Sequence, residues 1–83
     1  MSCDQLKTAK RKSVGSKQTL KAVLKGEAKL VFVAKDAEPH VVKDLLKACQ
    51  ERGVEVVYAE SMRALGAACG IQVGAASAAI IRD

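Results

Sequence analysis

The sequence predicts an α/β fold, a sheet with helices on both faces, and three observations carry that prediction. Apolar runs at 29–34, 54–59 and 75–81 have the length of strands, and the first two read as buried. Stretches with apolar residues at helical spacing alternate with them. The connections are short, which places consecutive elements side by side and leaves helices on both faces of one sheet. Residues 1–83 are expected to form one domain.

Residues 4–12 read as a short polar helix, with Asp4 as a candidate cap and Leu6 and Ala9 on its apolar side. Val14 and Gly15 break that pattern, and a fourth short strand can occupy Ser13 and Val14. Gly15 marks a tight turn or a close approach of the backbone to something else. Ser16 is expected to cap a second helix that runs to Lys25 and ends at Gly26. Leu20, Val23 and Leu24 form its core stripe. Lys17, Gln18, Lys21 and Lys25 fall within about one quadrant at about 100° per residue and face outward.

The run 29–34 follows, closed by Lys35 and Asp36. Pro39 opens the next helix, where a missing N–H costs nothing. Val41, Val42, Leu45, Leu46 and Cys49 recur at helical spacing, and Gly53 closes the helix. The strand 54–59 comes next, then a short helix capped by Ser61 with Met62, Leu65 and Ala68 inward and Gly70 at its end. The last strand, 75–81, is built mostly of small residues.

Composition narrows the function classes. The net charge is +5. Residues 1–35 hold nine Lys/Arg against two acids, whereas residues 36–83 hold five against seven. That asymmetry favours a polyanion at the N-terminal part, and it also suits a merely solvated surface. A chain of this size, with Phe32 and Tyr58 as its only aromatics, has little material for a large cavity or bulky cofactor, so no cofactor is expected. The cysteines Cys3, Cys49 and Cys69 are odd in number and widely spaced, which makes neither a disulfide framework nor a zinc pattern. Cys49 and Cys69 should pack as small hydrophobes, with Cys3 exposed. No signal peptide and no bilayer-spanning run is visible, so a cytoplasmic protein without membrane contact is expected.

No phosphate loop and no dinucleotide fingerprint is present. His40 has no visible nucleophile or acid partner. Asp36 ends a strand, where α/β enzymes often place an acid, yet it reads better as a cap for the helix after it. Catalysis is not expected. Gly66, Gly70 and Gly74 recur four apart, a spacing that means helix packing and turns here.

Two segments differ from plain scaffold. Gly15-Ser16-Lys17-Gln18-Thr19-Leu20-Lys21 joins a glycine turn, a helix N-terminus and a basic stripe. Free N–H groups and the helix dipole favour phosphate there, and Lys and Gln suit base edges. An ordinary capped amphipathic helix would look the same. Ile71-Gln72-Val73-Gly74-Ala75-Ala76 has an apolar middle that could pack on an unstacked nucleotide or complete a small core. Stacking aromatics of a single-strand reader are missing, so a shaped, partly double-stranded RNA fits better.

These residues resemble the L7Ae/L30e family of RNA-binding and ribosomal proteins, and in particular its small bacterial kink-turn binders. The resemblance also takes in the stretch from Leu30 to Pro39 and Ser61-Met62-Arg63-Ala64-Leu65-Gly66, and covers nearly the whole chain. It implies a three-layer α/β/α sandwich with a four-stranded mixed sheet. It further implies binding to the kink-turn, a helix–bulge–helix bend flanked by sheared G·A pairs, in ribosomal or other structured RNA. The RNA-binding residues would be Gly15, Ser16, Lys17, Gln18 and Lys21 at the G·A pairs, and Ile71, Val73, Gly74 and Ala75 over the bulge, with Lys35 at the same rim. Family members usually carry Asn and Glu where this chain has Lys17 and Gln18. The free protein is expected to be a monomer. A ribosome-associated structural or protein-interaction module with generic RNA contact stays open as the second reading.

Overall fold

The computed structural model describes residues 4–82. Cys3 lies outside the described residues, as does the side chain of Asp4. In chain order the elements are α1 (Asp4–Thr8), β1 (Lys12–Val14), α2 (Ser16–Leu24), β2 (Ala28–Ala34), α3 (Pro39–Arg52), β3 (Val56–Ala59), α4 (Met62–Ala68) and β4 (Ser77–Ile81). The strands form one mixed sheet in the order β1-β4-β2-β3. Strand β4 runs antiparallel to both β1 and β2, while β3 is parallel to β2. This is the three-layer, four-stranded arrangement that the family resemblance implied.

The sheet separates two cores. On one side Leu6 of α1 and Leu65 and Ala68 of α4 pack on Leu30, Phe32, Ala34 and Ala78. On the other, Ala22 and Val23 of α2 and Val42, Leu45 and Cys49 of α3 pack on Val31, Val33 and Ala79. β2 is central, so both of its faces are covered, which is why its run is almost unbroken in apolar residues. Ala28 and Leu30 lie on opposite faces although they are two apart. An irregularity in the β2–β4 pairing between them supplies the extra residue. The alanines of β4 let helices approach from both sides.

Several local expectations change. The first helix stops at Thr8, because Lys12–Val14 pairs with Ala78–Ile80 and the ladder claims those residues. β3 is an edge strand, so Val56 and Val57 are only half-buried and Tyr58 is exposed. In α2 the buried side chains are Thr19, Ala22 and Val23, whereas Leu24 is 49% exposed. The stripe facing the sheet is rotated toward the small residues there. In α3, Val41 is exposed and Ala48 buried for the same reason. Pro39 does occupy the first turn of α3, and Gly53 closes it in the left-handed conformation at φ 69°.

Cys49 and Cys69 are both buried. Burial pushes the Cys49 thiol up from its ordinary value. Since the thiolate is the reactive form, we expect both thiols of a Cys3→Ser variant to react slowly with a disulfide reagent at neutral pH until denaturant is added. Fast native-state reaction would show that the core opens far more readily than its packing implies.

Candidate nucleic-acid interface

Strands β1, β2 and β3 all point the same way and β4 points opposite. The ends of the first three and the start of β4 therefore share one rim of the sheet. Three backbone hydrogen bonds tie it together. Gly15 N–H donates to Ser77 O at 2.8 Å, Ala34 N–H to Ala76 O at 2.9 Å, and Lys35 N–H to Ala59 O at 2.9 Å. The Gly15 turn, Lys35 and the 71–76 segment, far apart in sequence, thus become neighbours.

Gly15 sits at φ 96°, ψ 148° as the cap residue of α2. That extended, positive-φ region is open essentially to glycine alone. Ser16 was expected to be the cap; it is instead the first helical residue, and its Oγ accepts a hydrogen bond from the buried Ser77 hydroxyl at 3.0 Å. No side chain caps α2 and no acid lies in its first turn. The first-turn N–H groups therefore keep their partial positive field toward the rim. Lys17, Gln18, Lys21 and Lys25 are all exposed.

The 71–76 segment is moulded on α4. Ile71 N–H donates to Gly66 O and Ala75 N–H to Met62 O, each at 3.0 Å. The backbone lies so close to Gly66 that a methyl there would overlap the Val73 carbonyl oxygen. A methyl on Gly74 would meet Met62 Cβ at 3.1 Å. Held this way, the loop turns Val73 outward, 70% exposed, with Ile71 and Gly74 also exposed. Ala75 is different: its side chain is buried in the α1/α4 core, and only its backbone belongs to the loop.

Asp36 was expected to cap the helix after it. Instead its Oδ1 accepts a hydrogen bond from Met62 N–H at 2.7 Å, so it caps α4, across the rim. Ser61 Oγ accepts from Ala64 N–H at 3.0 Å, as the sequence predicts. The cap position of α3 goes to Glu38, with no side-chain cap bond. Lys35 lies 3.9 Å from Glu60 with both groups well exposed, an ion pair that contributes little to stability and leaves the lysine available. His40 pairs with Glu38 at 3.3 Å on the surface. Among the described residues no group of three or more His, Cys, Asp or Glu side chains could hold a metal ion. The roles of Asp36 and Ser77 were missed because each depends on a partner from another element. Gly66 and Gly74 were noted by spacing alone, which does not say that the loop packs on the helix.

The basic excess does not form one patch. α1 packs on one face of the sheet and α2 on the other, so Lys7 is separated from the α2 stripe. Arg11 joins α2 instead, bordering a cleft with Gln18, Lys21 and Lys25. A larger cavity of about 370 Å³, bordered by Lys10 and Lys29, opens at the opposite end of the sheet beside Ile80 and Ile81. No helix among the described residues is long and apolar enough to cross a membrane.

Residues 3–83 match the ribosomal protein L7Ae/L30e/S12e/Gadd45 family. The chain belongs to that family. An RNA-binding protein of Caldanaerobacter subterraneus subsp. tengcongensis is 55% identical over 69 residues, covering 83% of this chain and 84% of its own. The RNA-binding protein YbxF of Geobacillus stearothermophilus is 43% identical, covering 99% and 100%. A solved 15.5kD RNA binding protein of Giardia lamblia superposes with a TM-score of 0.88 at 34% identity, over 99% of this chain and 72% of that one. The L7Ae/L30e fold is thus common to this chain and to that solved RNA-binding protein, and the rim described above is part of it.

Proposed function

We propose that this protein is an RNA-binding protein that recognises kink-turns and releases the RNA unchanged. Family membership and relatives named as RNA-binding proteins support RNA binding without catalysis. One observation carries the finer reading: an uncapped, basic helix start and an exposed apolar loop converge on one rim. A bent RNA offers both complements at once, widened-groove base edges beside unpaired nucleotides. A straight duplex offers phosphates, a shallow minor groove and a major groove too deep and narrow for side chains to read, with no unpaired nucleotides.

In this reading Lys17 and Gln18 reach the G·A edges, while Lys21 and Lys35 meet a base or phosphate. Gly15 and Ser16 shape the approach; Ser16 Oγ accepts from the Ser77 hydroxyl, which orients it and leaves its own O–H and its backbone to meet the RNA. Ile71, Val73 and Gly74 cover the bulge, and Ala75 contributes backbone only. The protein acts as one domain and as a monomer, on ribosomal or other structured RNA in the cytoplasm.

The test is a titration at stated salt with a kink-turn RNA and a control whose G·A pairs are replaced. Tighter binding to the kink-turn is expected, with both RNAs weakening as salt rises. Equal affinities would reduce the interaction to phosphate attraction and sink the kink-turn reading.

A further inference from the structure

The cleft between α2 and the edge strand β1 carries a surplus of positive charge. Val14 packs on the α1 side of the sheet, so strand alternation turns Ser13 and Arg11 toward α2. Across the cleft stand Gln18, Lys21 and Lys25. Arg11 is held in place: its Nη1 donates to the carbonyl oxygen of Arg82 at 3.0 Å. Among the described residues the guanidinium has no second partner, and its planar fork suits phosphate oxygens. Among the described residues that line it, three cations stand beside one acid, Glu27.

The cleft holds about 190 Å³, below the roughly 300–1,000 Å³ of sites that enclose an organic ligand. The cleft is open to solvent, and a phosphate group fits within it. The α2 helix, with nine residues, spans about 13 Å, so Lys25 stands well away from the Gly15 end. One polyanion can touch both places, while an isolated ion would gain only one set of exposed contacts.

We propose that this cleft is a second phosphate seat for the same RNA, taking a backbone phosphate of the stem that leaves the bend along α2. The proposal relies on the kink-turn reading for the placement of the RNA, and on Arg11 and Lys25 for the contact. Glu27 limits the affinity from one side of the seat.

The experiment compares the wild-type protein with an Arg11→Ala/Lys25→Ala double variant across a salt series. The RNAs are a kink-turn with long stems, the same RNA with each stem trimmed in turn, the G·A-disrupted control and a straight duplex. On long stems the double variant should bind more weakly, with its salt slope reduced by roughly 1 for each charge removed. Trimming one of the two stems should abolish the difference. The preference for the kink-turn over its control should shrink only by this lost stem contact and persist otherwise, because both altered residues lie away from the helix start that reads the G·A pairs. Glu27→Gln should shift affinity the other way. Both altered side chains are exposed, and an Arg11→Lys variant, which keeps the charge but loses the fork, should fall between wild type and the double variant. Wild-type affinity and slope in the double variant on long stems would overturn the seat, as would a difference that survives trimming of either stem. Inorganic phosphate binding lost in the variant while RNA binding is unaltered would overturn its assignment to RNA. Should wild type show no kink-turn preference while the variant still loses slope on the duplex, the kink-turn reading fails and the seat stands.

Discussion

Gly66→Ala is expected to destabilise the protein by about 1–2 kcal/mol, although alanine is the better helix former. Its helix propensity favours the variant by about 1 kcal/mol. Against that, the new methyl overlaps the Val73 carbonyl oxygen and lies 3.1 Å from Val73 C and 3.2 Å from Gly74 Cα. All three are backbone atoms and cannot rotate aside, and overpacking of this kind costs about 1–3 kcal/mol. Relief requires the loop to lift, which gives up the Ile71–Gly66 and Ala75–Met62 hydrogen bonds, each worth about 1 kcal/mol net. In a domain of this size each kcal/mol moves the melting temperature by about 4–8 °C. Gly70→Ala is the comparison. Gly70 has φ +81° but open space around it, so the cost there is the left-handed conformation alone, about 1–2 kcal/mol. A Gly66→Ala protein that melts at or above the wild-type temperature would show that α4 and the loop are not locked together.

The second large effect concerns recognition. A Lys17→Ala/Gln18→Ala variant should lose most of its preference for the kink-turn over the G·A-disrupted RNA. Each good base contact is worth about 1–3 kcal/mol of discrimination, so two together correspond to roughly thirtyfold or more. Both side chains are exposed and helical, and alanine suits those positions, so the melting temperature should hold. Val73→Asp probes the other half of the rim. Val73 is 70% exposed, so an aspartate there spares the core while setting a charge against bulged nucleotides and phosphates. Binding to the kink-turn should fall steeply with the circular dichroism spectrum unchanged. A folded double variant that keeps the full preference would leave the α2 start as a plain amphipathic helix, and the attraction to the remaining basic groups.

The amino-acid sequence carries the order of the elements, the two-sided burial of the 29–34 run, the ends of α3 at Pro39 and Gly53 and the Ser61 cap. These are local matters: periodicity records which face is apolar, and glycine, proline and serine act within a few residues of where they stand. It also singled out the Gly15–Lys21 and 71–76 segments as unlike scaffold, one through charge at a helix start and the other through apolar residues in a loop. What covers each face came from packing in three dimensions. The strand order made β3 an edge and exposed Tyr58, and it turned α2 so that Thr19 and Ala22 are buried while Leu24 is not. Ladder pairing ended α1 at Thr8. Asp36 passed over the helix beside it to cap α4, and Ser16 became the first helical residue, its Oγ accepting from Ser77, while Gly15 took the cap position. The basic excess, continuous along the chain, was divided between the two sides of the sheet. The physical reason is the same in each case: hydrogen bonds and electrostatic neighbours depend on distance in space, and sequence separation limits that distance only over the first few residues.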